Sequence, residues 1–222
     1  MCGRFTLTVN PTELQDSFSN YTFPEKFAPR FNIAPTQPVL AIPNDDKLTA
    51  DFFIWGLIPM WAKDPDVGSR LINARGETLG EKPSFRGSYR HKRCLILADG
   101  FYEWKVPTGK KAKTPYYIHM IDRKPFAMAG LWDHWESPDG STIKTCTIIT
   151  TTPNELMEKI HDRMPVILHP RDYAKWLNSA PQTPEQLQPL IKPFPAEAMS
   201  AYPVSTLVNK VANDMPKLVV PL

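Results

Sequence analysis

Apolar and β-branched residues form short runs through the middle of the chain, each bounded by Gly, Pro or Asp. Runs of this length are typical of β-strands, because branched and aromatic side chains pack well on a pleated surface. The pattern predicts strands over residues 52–57, 94–98 continuing into 101–106, 116–121, 126–132, 146–150 and 164–168.

Helices are predicted where a capping residue is followed by a proline and then by Glu or Gln, a combination that satisfies the first free N–H groups. Few helices among many strands predict an α+β fold, with a mainly antiparallel, barrel-like sheet, peripheral helices and one domain over residues 1–222. The predicted helices run from Pro11 to about Ser19, over 153–160, over 170–177, and from Pro184 until Pro189 cuts the last one short.

The composition narrows the class of protein. The 24 prolines in 222 residues lie between apolar segments, which favours an ordered, loop-rich fold. Three cysteines are too few for a disulfide framework, and Cys94 and Cys146 lie in apolar runs typical of buried thiols. We therefore expect a cytosolic protein with no signal peptide and no membrane span.

Positive charge is concentrated in one part of the chain. Residues 82–113 hold nine Lys or Arg against Asp99 and Glu103, a local net charge of +7 in a chain of net charge +3. This distribution suits a groove for a polyanion. For Lys110, Lys111 and Lys113 alone, a solvated surface loop is the competing interpretation.

Cys2 follows Met1 directly, and removal of Met1 would leave an α-amine and a thiol two carbons apart. Near pH 7.5 roughly a third of an α-amine is unprotonated, against about one lysine in a thousand. Such an amine forms a Schiff base with an aldehyde, and the thiol can close a five-membered thiazolidine at high effective molarity. The alternative is that Cys2 is only the residue after the start codon.

Three further residues are candidates for proton transfer or positioning. Glu103 lies between aromatic residues, which would raise its carboxyl pKa, although an exposed strand Glu is equally consistent. His161 follows a predicted helix whose dipole would favour the imidazolium, although a plain capping role fits as well. Asn73 lies between apolar residues and could position a reactant or simply sit in a turn.

Arg4, Arg75 and Arg163 each lie close in sequence to one of these candidates, and guanidinium groups bind phosphates with two hydrogen bonds. Surface ion pairs are the competing interpretation for each arginine. Trp55 is expected in the core, whereas Trp61 could stack on a base or pack inside. His91 and Cys94 form one weak pair without partners at ligand spacing, so we expect no metal and no cofactor.

Eight blocks in order resemble the SRAP family of abasic-site processing proteins, nearly from end to end of the chain. The blocks are residues 1–5 (MCGRF), 31–36 (FNIAPT), 55–59 (WGLIP), 72–78 (INARGET), 82–85 (KPSF), 97–104 (LADGFYEW), 160–165 (IHDRMP) and 203–205 (PVS). The resemblance implies that the aldehyde is the ring-opened sugar of an abasic site in single-stranded DNA, to which Cys2 forms a thiazolidine cross-link.

The resemblance also implies roles for the other candidates. Glu103 and His161 would transfer protons during ring opening, imine formation and reversal, and Asn73 would orient Cys2 or the sugar. Self-removal of Met1, a weak Schiff-base lyase activity and a part in the SOS response would accompany them. Phosphates would be held by Arg4, Arg75 and Arg163, with Asn32 and Trp61 nearby. An additional Arg that some bacterial relatives carry near Pro83 is absent, although Lys82 and Arg86 flank that position.

Two other functions compete with this one. An N-terminal-nucleophile amidohydrolase of the glutamine amidotransferase type also begins Met-Cys-Gly, but residue 4 is Arg and the later blocks do not resemble those enzymes. A non-covalent single-strand binder would keep its salt-sensitive affinity for DNA after Cys2→Ala. We expect a monomer whose partner is single-stranded DNA with abasic sites, in the cytoplasm and on the nucleoid after DNA damage.

Overall fold

The computed structural model describes residues 2–106 and 112–222, so Lys110 and Lys111 of the basic run lie outside the described residues. The strands are β1 (Arg4–Leu7), β2 (Arg30–Ile33), β3 (Pro38–Pro43), β4 (Asp51–Trp55), β5 (Asn73–Arg75), β6 (Arg93–Ala98), β7 (Gly100–Lys105), β8 (Thr114–Met120), β9 (Phe126–Glu136), β10 (Thr142–Thr151), β11 (Met164–Pro165), β12 (Ile167–Leu168) and β13 (Met199–Pro203). The α-helices are α1 (Pro11–Ser17), α2 (Pro83–His91), α3 (Tyr173–Trp176) and α4 (Pro184–Leu187).

Five strands close into a barrel. β4 pairs with β3, β3 with β6 and β6 with β9, all antiparallel. β9 pairs antiparallel with β10, and β10 returns to β4 in parallel, which closes the ring. Three short strands extend it: β5 runs parallel to β10, β11 pairs antiparallel with β10, and β12 pairs antiparallel with β9.

A second, antiparallel sheet has the strand order β13-β8-β7-β1-β2. Only Asp99 separates β6 of the barrel from β7 of this sheet, so one run of chain belongs to both. The Asp99 carboxylate accepts hydrogen bonds from Thr6 Oγ1 at 2.5 Å, from the Thr8 amide at 2.5 Å and from the Val9 amide at 3.2 Å. These bonds fix β1, and with it the amino terminus, against the junction of the two sheets.

The predicted fold class is confirmed: barrel, antiparallel sheet and few helices form an α+β protein. Six predicted strands are present within a few residues of their predicted bounds. In chain order they are β4, β6, β7, β8, β9 and β10, predicted over 52–57, 94–98, 101–106, 116–121, 126–132 and 146–150. The run 164–168 forms two strands rather than one, because β11 and β12 pair with different neighbours on either side of Val166. Cys94 and Cys146 are buried free thiols, as expected.

The capping signals predicted two of the four α-helices well. Asn10 and Glu13 form the reciprocal capping box of α1, and Thr183 and Gln186 form that of α4. The helix predicted over 153–160 is wrong: only a 3-10 turn at Met157–Lys159 forms there. Ahead of this turn, Asn154 Oδ1 accepts from the Met157 amide at 2.9 Å.

The sequence pattern missed α2, although it is the longest helix among the described residues. Its sequence contains Gly87 and two serines, which are poor helix formers, and its N-cap Lys82 makes no side-chain hydrogen bond. The helix is stabilised by tertiary packing, because Phe85 and Tyr89 are buried against the barrel.

Arg93 qualifies the interpretation of the basic run as a polyanion groove. Its side chain is completely buried and donates to the carbonyls of Trp176 at 2.9 Å, Tyr89 at 3.1 Å and Arg90 at 2.6 Å, and also to that of Asn178. This arginine therefore connects the carboxyl ends of α2 and α3 and contributes no charge to the surface.

Among the described residues, no helix is long and apolar enough to cross a membrane. The same residues contain no group of three or more His, Cys, Asp or Glu side chains that could hold a metal ion.

Candidate functional site

Cys2 lies two residues before the first residue of β1, and the pairing of β1 with β7 places it beside Glu103. In that pairing Arg4 is opposite Tyr102. The Cys2 side chain is completely buried in the chain that still carries Met1. Burial, reinforced by the negative charge of Glu103, raises the pKa of the Cys2 thiol far above its ordinary value. The sulfur is therefore a neutral thiol that needs a base in order to react.

Asn73 holds the backbone of Cys2. Its Nδ2 donates to the Cys2 carbonyl at 2.8 Å. The parallel pairing of β5 with β10 sets Asn73 opposite Ile148, so this residue belongs to a strand and not to a turn. Asn73 Oδ1 is buried and makes no hydrogen bond within residues 2–106 and 112–222. It is an acceptor directed into the candidate site.

Glu103 and His161 form the polar centre of the site. Glu103 is only 2% exposed, which excludes the exposed strand position. Its Oε2 lies 3.8 Å from His161 Nε2. Burial raises the pKa of the Glu103 carboxyl to about 7, so that near neutral pH it can both donate and accept a proton.

The environment of His161 determines its protonation. The Arg163 amide donates to His161 Nδ1 at 3.0 Å, which places the proton of a neutral ring on Nε2, facing Glu103. Asp162 Oδ1 also lies 2.8 Å from Nδ1, but this carboxylate is 88% exposed and solvated, so the backbone donor decides the tautomer. Burial lowers the pKa of His161. The expected stabilisation of an imidazolium by a helix dipole is therefore wrong.

Arg4 and Asn32 hold the segment that follows β13. Arg4 Nη1 donates to Asn32 Oδ1 and to the Val208 carbonyl, both at 2.9 Å. Asn32 is completely buried, and its Nδ2 donates to the carbonyls of Val208, Lys210 and Asn213 at 3.2, 3.2 and 2.7 Å. The structure thus brings both residues together but directs Asn32 toward backbone carbonyls.

Arg163 forms a two-point ion pair with Glu77. Its Nη1 and Nη2 donate to Glu77 Oε1 at 2.6 Å and Oε2 at 2.9 Å. Nη2 also donates to the Thr150 carbonyl at 2.7 Å. The ion-pair alternative considered for the arginines therefore holds for Arg163. The sequence separation of 86 residues gave no signal for this pair.

Arg75 differs from the other two arginines. It is exposed at the end of β5, and its guanidinium makes no ion pair or hydrogen bond with the described part of the chain. Trp55 is buried, as expected, whereas Trp61 is 62% exposed. Trp61 lines a cavity of about 280 Å³ with Pro83 and His91, and Cys2 is not part of this lining.

A cavity of about 590 Å³ opens beside His161. Its charged lining, apart from His161, consists of three lysines and two carboxylates: Lys105, Lys113, Lys159, Glu158 and Asp162. Lys105 and Lys113 belong to the basic run, but nothing in the sequence pattern singled out Lys159. A larger cavity of about 760 Å³ lies at the Met120 end of β8, where none of the candidate residues is found.

These contacts define a protein with a candidate reactive centre at its amino terminus, in which a thiol, a carboxyl with a pKa of about 7 and an imidazole lie beside a cavity lined by three lysines and two carboxylates. The SRAP family model, described as SOS response associated peptidase (SRAP), matches residues 1–211. The chain belongs to the SRAP family, as the eight sequence blocks predicted.

Relatives and solved structures agree with this assignment. The chain is 49% identical over 222 residues to abasic site processing protein YoqW of Bacillus subtilis (strain 168), with 99% of each chain covered. It is 32% identical to abasic site processing protein HMCES of Xenopus tropicalis, over 98% of this chain and 77% of that protein. A crystal structure of a Bacteroides thetaiotaomicron protein superposes with a TM-score of 0.88 at 28% identity, covering both chains completely.

Proposed function

We propose that this protein processes abasic sites in single-stranded DNA by forming a covalent thiazolidine through the α-amine and thiol of Cys2 after Met1 is removed. The observation that carries the proposal is that three side chains converge on Cys2. Asn73 Nδ2 donates to the Cys2 carbonyl at 2.8 Å. Beside Cys2, Glu103 Oε2 and His161 Nε2 lie 3.8 Å from each other. The names of the relatives supply the substrate class.

The chemistry requires two proton transfers in opposite directions. The amine adds to the sugar aldehyde, and the resulting carbinolamine loses water to form an imine, which needs an acid at the departing hydroxyl. The thiol then adds to the imine carbon, a new C–S bond forms, and the thiol proton must leave. A protonated Glu103 can supply the first proton, and its carboxylate can then accept the second. A pKa of about 7 suits both steps.

His161 would assist from the neutral form. Its Nε2–H faces Glu103 and can donate toward the sugar oxygen during ring opening, while the Arg163 amide holds Nδ1. The free Asn73 Oδ1 can accept a hydrogen bond from the new α-amine. Strand cleavage through the Schiff base and self-removal of Met1 are further parts of the proposal.

The phosphates would approach across the cationic surface. Arg75 is the exposed candidate on the same strand as Asn73, and Lys105, Lys113 and Lys159 line the cavity beside His161. In the pairing of β1 with β7, Arg4 lies opposite Tyr102, the residue before Glu103. Asn32 would act through Arg4 by fixing its guanidinium. Trp61 would stack on a base outside this centre.

Intact mass spectrometry tests the cross-link directly. Protein lacking Met1 is incubated with a single-stranded oligonucleotide that contains one abasic site, and denatured before measurement. We expect the sum of the two masses less one water, and no adduct with the same oligonucleotide without the lesion. Retention of Met1, or acetylation of the α-amine, should abolish the adduct because the nucleophile is lost.

Two variants separate the amine from the thiol. Cys2→Ala should still give a Schiff base that borohydride traps, but no adduct that survives denaturation without reduction. Cys94→Ala is the matched control, because it removes a buried thiol outside the site and should leave the adduct unchanged. An adduct that persists with Met1 in place would refute the mechanism, and turnover of glutamine without any adduct would favour an amidohydrolase.

A further inference from the structure

The ion pair between Arg163 and Glu77 determines whether the Arg163 guanidinium is available to bind a DNA phosphate. One edge of a guanidinium presents two parallel N–H groups and binds either a carboxylate or a phosphate, and each guanidinium has two such edges, Nη1/Nη2 and Nε/Nη2. In this structure Glu77 Oε1 and Oε2 occupy both positions of the Nη1/Nη2 edge, at 2.6 and 2.9 Å. On the other edge Nη2 donates to the Thr150 carbonyl and Nε is buried, so Arg163 cannot bind a phosphate with two hydrogen bonds unless Glu77 moves.

The two partners differ in how firmly they are held. The Arg163 side chain is 14% exposed, and the Thr150 carbonyl holds it from the barrel side at 2.7 Å. Glu77 is 47% exposed and lies on a 3-10 turn of three residues, Gly76–Thr78. The hydrogen bond from Arg163 lowers the pKa of the Glu77 carboxyl, so it is ionised at neutral pH. The carboxylate is thus the partner that can swing away into solvent.

We propose that Glu77 is a built-in competitor of DNA phosphate: it occupies the Arg163 guanidinium in the free protein and leaves only when DNA is held at the site. Ordinary single-stranded DNA then gains little from Arg163, because each new phosphate contact breaks an existing ion pair. The inference rests on the proposed function in one respect. DNA joined to Cys2 presents its phosphate at high effective concentration and so displaces Glu77.

Glu77→Gln tests the competition by reversible binding, with no covalent step. The probe is an intact single-stranded oligonucleotide without an abasic site, measured by fluorescence anisotropy across a salt series. We expect roughly three- to tenfold tighter binding at low salt, as one charge-assisted contact is gained. The slope of log Kd against log salt should steepen by about 0.7, the value for one more phosphate on a single strand.

Glu81→Gln is the matched control. Glu81 is exposed, lies four residues further along, and makes no ion pair or hydrogen bond with the described residues through its side chain. Its substitution changes the net charge equally without freeing a guanidinium. A gain with Glu77→Gln no larger than with Glu81→Gln would overturn the proposal. Weaker binding would overturn it as well, because it would show that Glu77 braces Arg163 for DNA.

Two additional variants complete the test. Glu77→Ala leaves no acceptor on Arg163 and should show the same gain, with thermal melting confirming that each variant is folded. Adding Arg163→Met to Glu77→Gln should return the salt slope to that of the unmodified protein, and persistence of the steeper slope would contradict the proposal. Because the probe carries no aldehyde, these outcomes stand apart from success or failure of the cross-link at Cys2.

Discussion

At the scale of single residues, Glu103 shows how strand pairing decides chemistry. Its sequence position between Tyr102 and Trp104 is compatible with either face of a strand. The pairing of β7 with β1 and β8 turns it inward, to 2% exposure beside Cys2 and His161. The residue types of the candidate site were therefore predictable from sequence, but the burial that tunes them depends on partners distant in the chain.

Glu103→Gln should change how stability depends on pH. The pKa of Glu103 is raised in the folded protein from 4.5 to about 7, so the folded state binds more protons between these values. The stability that this proton contributes is fully present below about pH 4.5 and is lost as pH rises through about 7. Relative to the unmodified protein, Glu103→Gln should gain stability with rising pH, on the order of 3 kcal/mol by pH 8.

Urea denaturation at pH 5, 6, 7 and 8 measures this difference. Glu81→Gln, which makes the same change of charge at an exposed position, is the control. Parallel curves for Glu103→Gln and the unmodified protein would show that the folded carboxyl titrates in its ordinary range. In the adduct assay, Glu103→Gln should slow cross-linking roughly a hundredfold, as is typical for loss of a general acid or base.

At the scale of elements, the sequence predicted structure reliably where the hydrogen-bond partners are close neighbours in the chain. The capping boxes of α1 and α4 need only neighbouring residues, and both formed as predicted. β2 and β5 have only four and three residues, and their positions are set by pairing with β1 and β10. No local pattern could have predicted them, because their hydrogen-bond partners are far away in sequence.

Arg93 provides a test of how elements are joined. Arg93→Met should destabilise the protein by about 3–5 kcal/mol, because it removes a buried cation and leaves carbonyls at the ends of α2 and α3 without donors. Chemical denaturation measures the change in the free energy of unfolding. Arg90→Met, an exposed position on α2, is the control and should cost less than about 1 kcal/mol. A loss below that value for Arg93→Met would mean that water satisfies these carbonyls.

At the scale of the whole molecule, the amino-terminal strand is held by residues near the other end of the sequence. Asn32 mediates this contact, with three carbonyls on one side and Arg4 on the other. The family resemblance assigned Asn32 to the neighbourhood of DNA but could not indicate this long-range role. The extent of the domain, 1–222, and the monomeric state remain predictions.

Asn32→Leu should loosen this arrangement. It removes the Asn32 donor from three carbonyls, of which those of Val208 and Lys210 keep a second donor, and it leaves Arg4 without its side-chain acceptor, at a cost of about 1–3 kcal/mol. Limited proteolysis should then cut faster within residues 206–213, and the products can be identified by mass. Asn213→Ala is the control, since its amide makes one exposed hydrogen bond to the Leu207 carbonyl. Equal cleavage of both variants would contradict the role given to Asn32.

The parallel pairing of β5 with β10 limits where insertions and deletions can occur in the chain ahead of β5. Along β5, Asn73 and Arg75 share one face and Ala74 is buried on the other. A slip of one residue would exchange these faces, turning both polar side chains away from the site. Upstream, Gly56 has a φ of +138°, and a Cβ there would lie 2.6 Å from the Gly68 carbonyl oxygen. Insertions and deletions should therefore accumulate in the exposed residues 63–66 between these two glycines, and very rarely between Gly68 and Arg75.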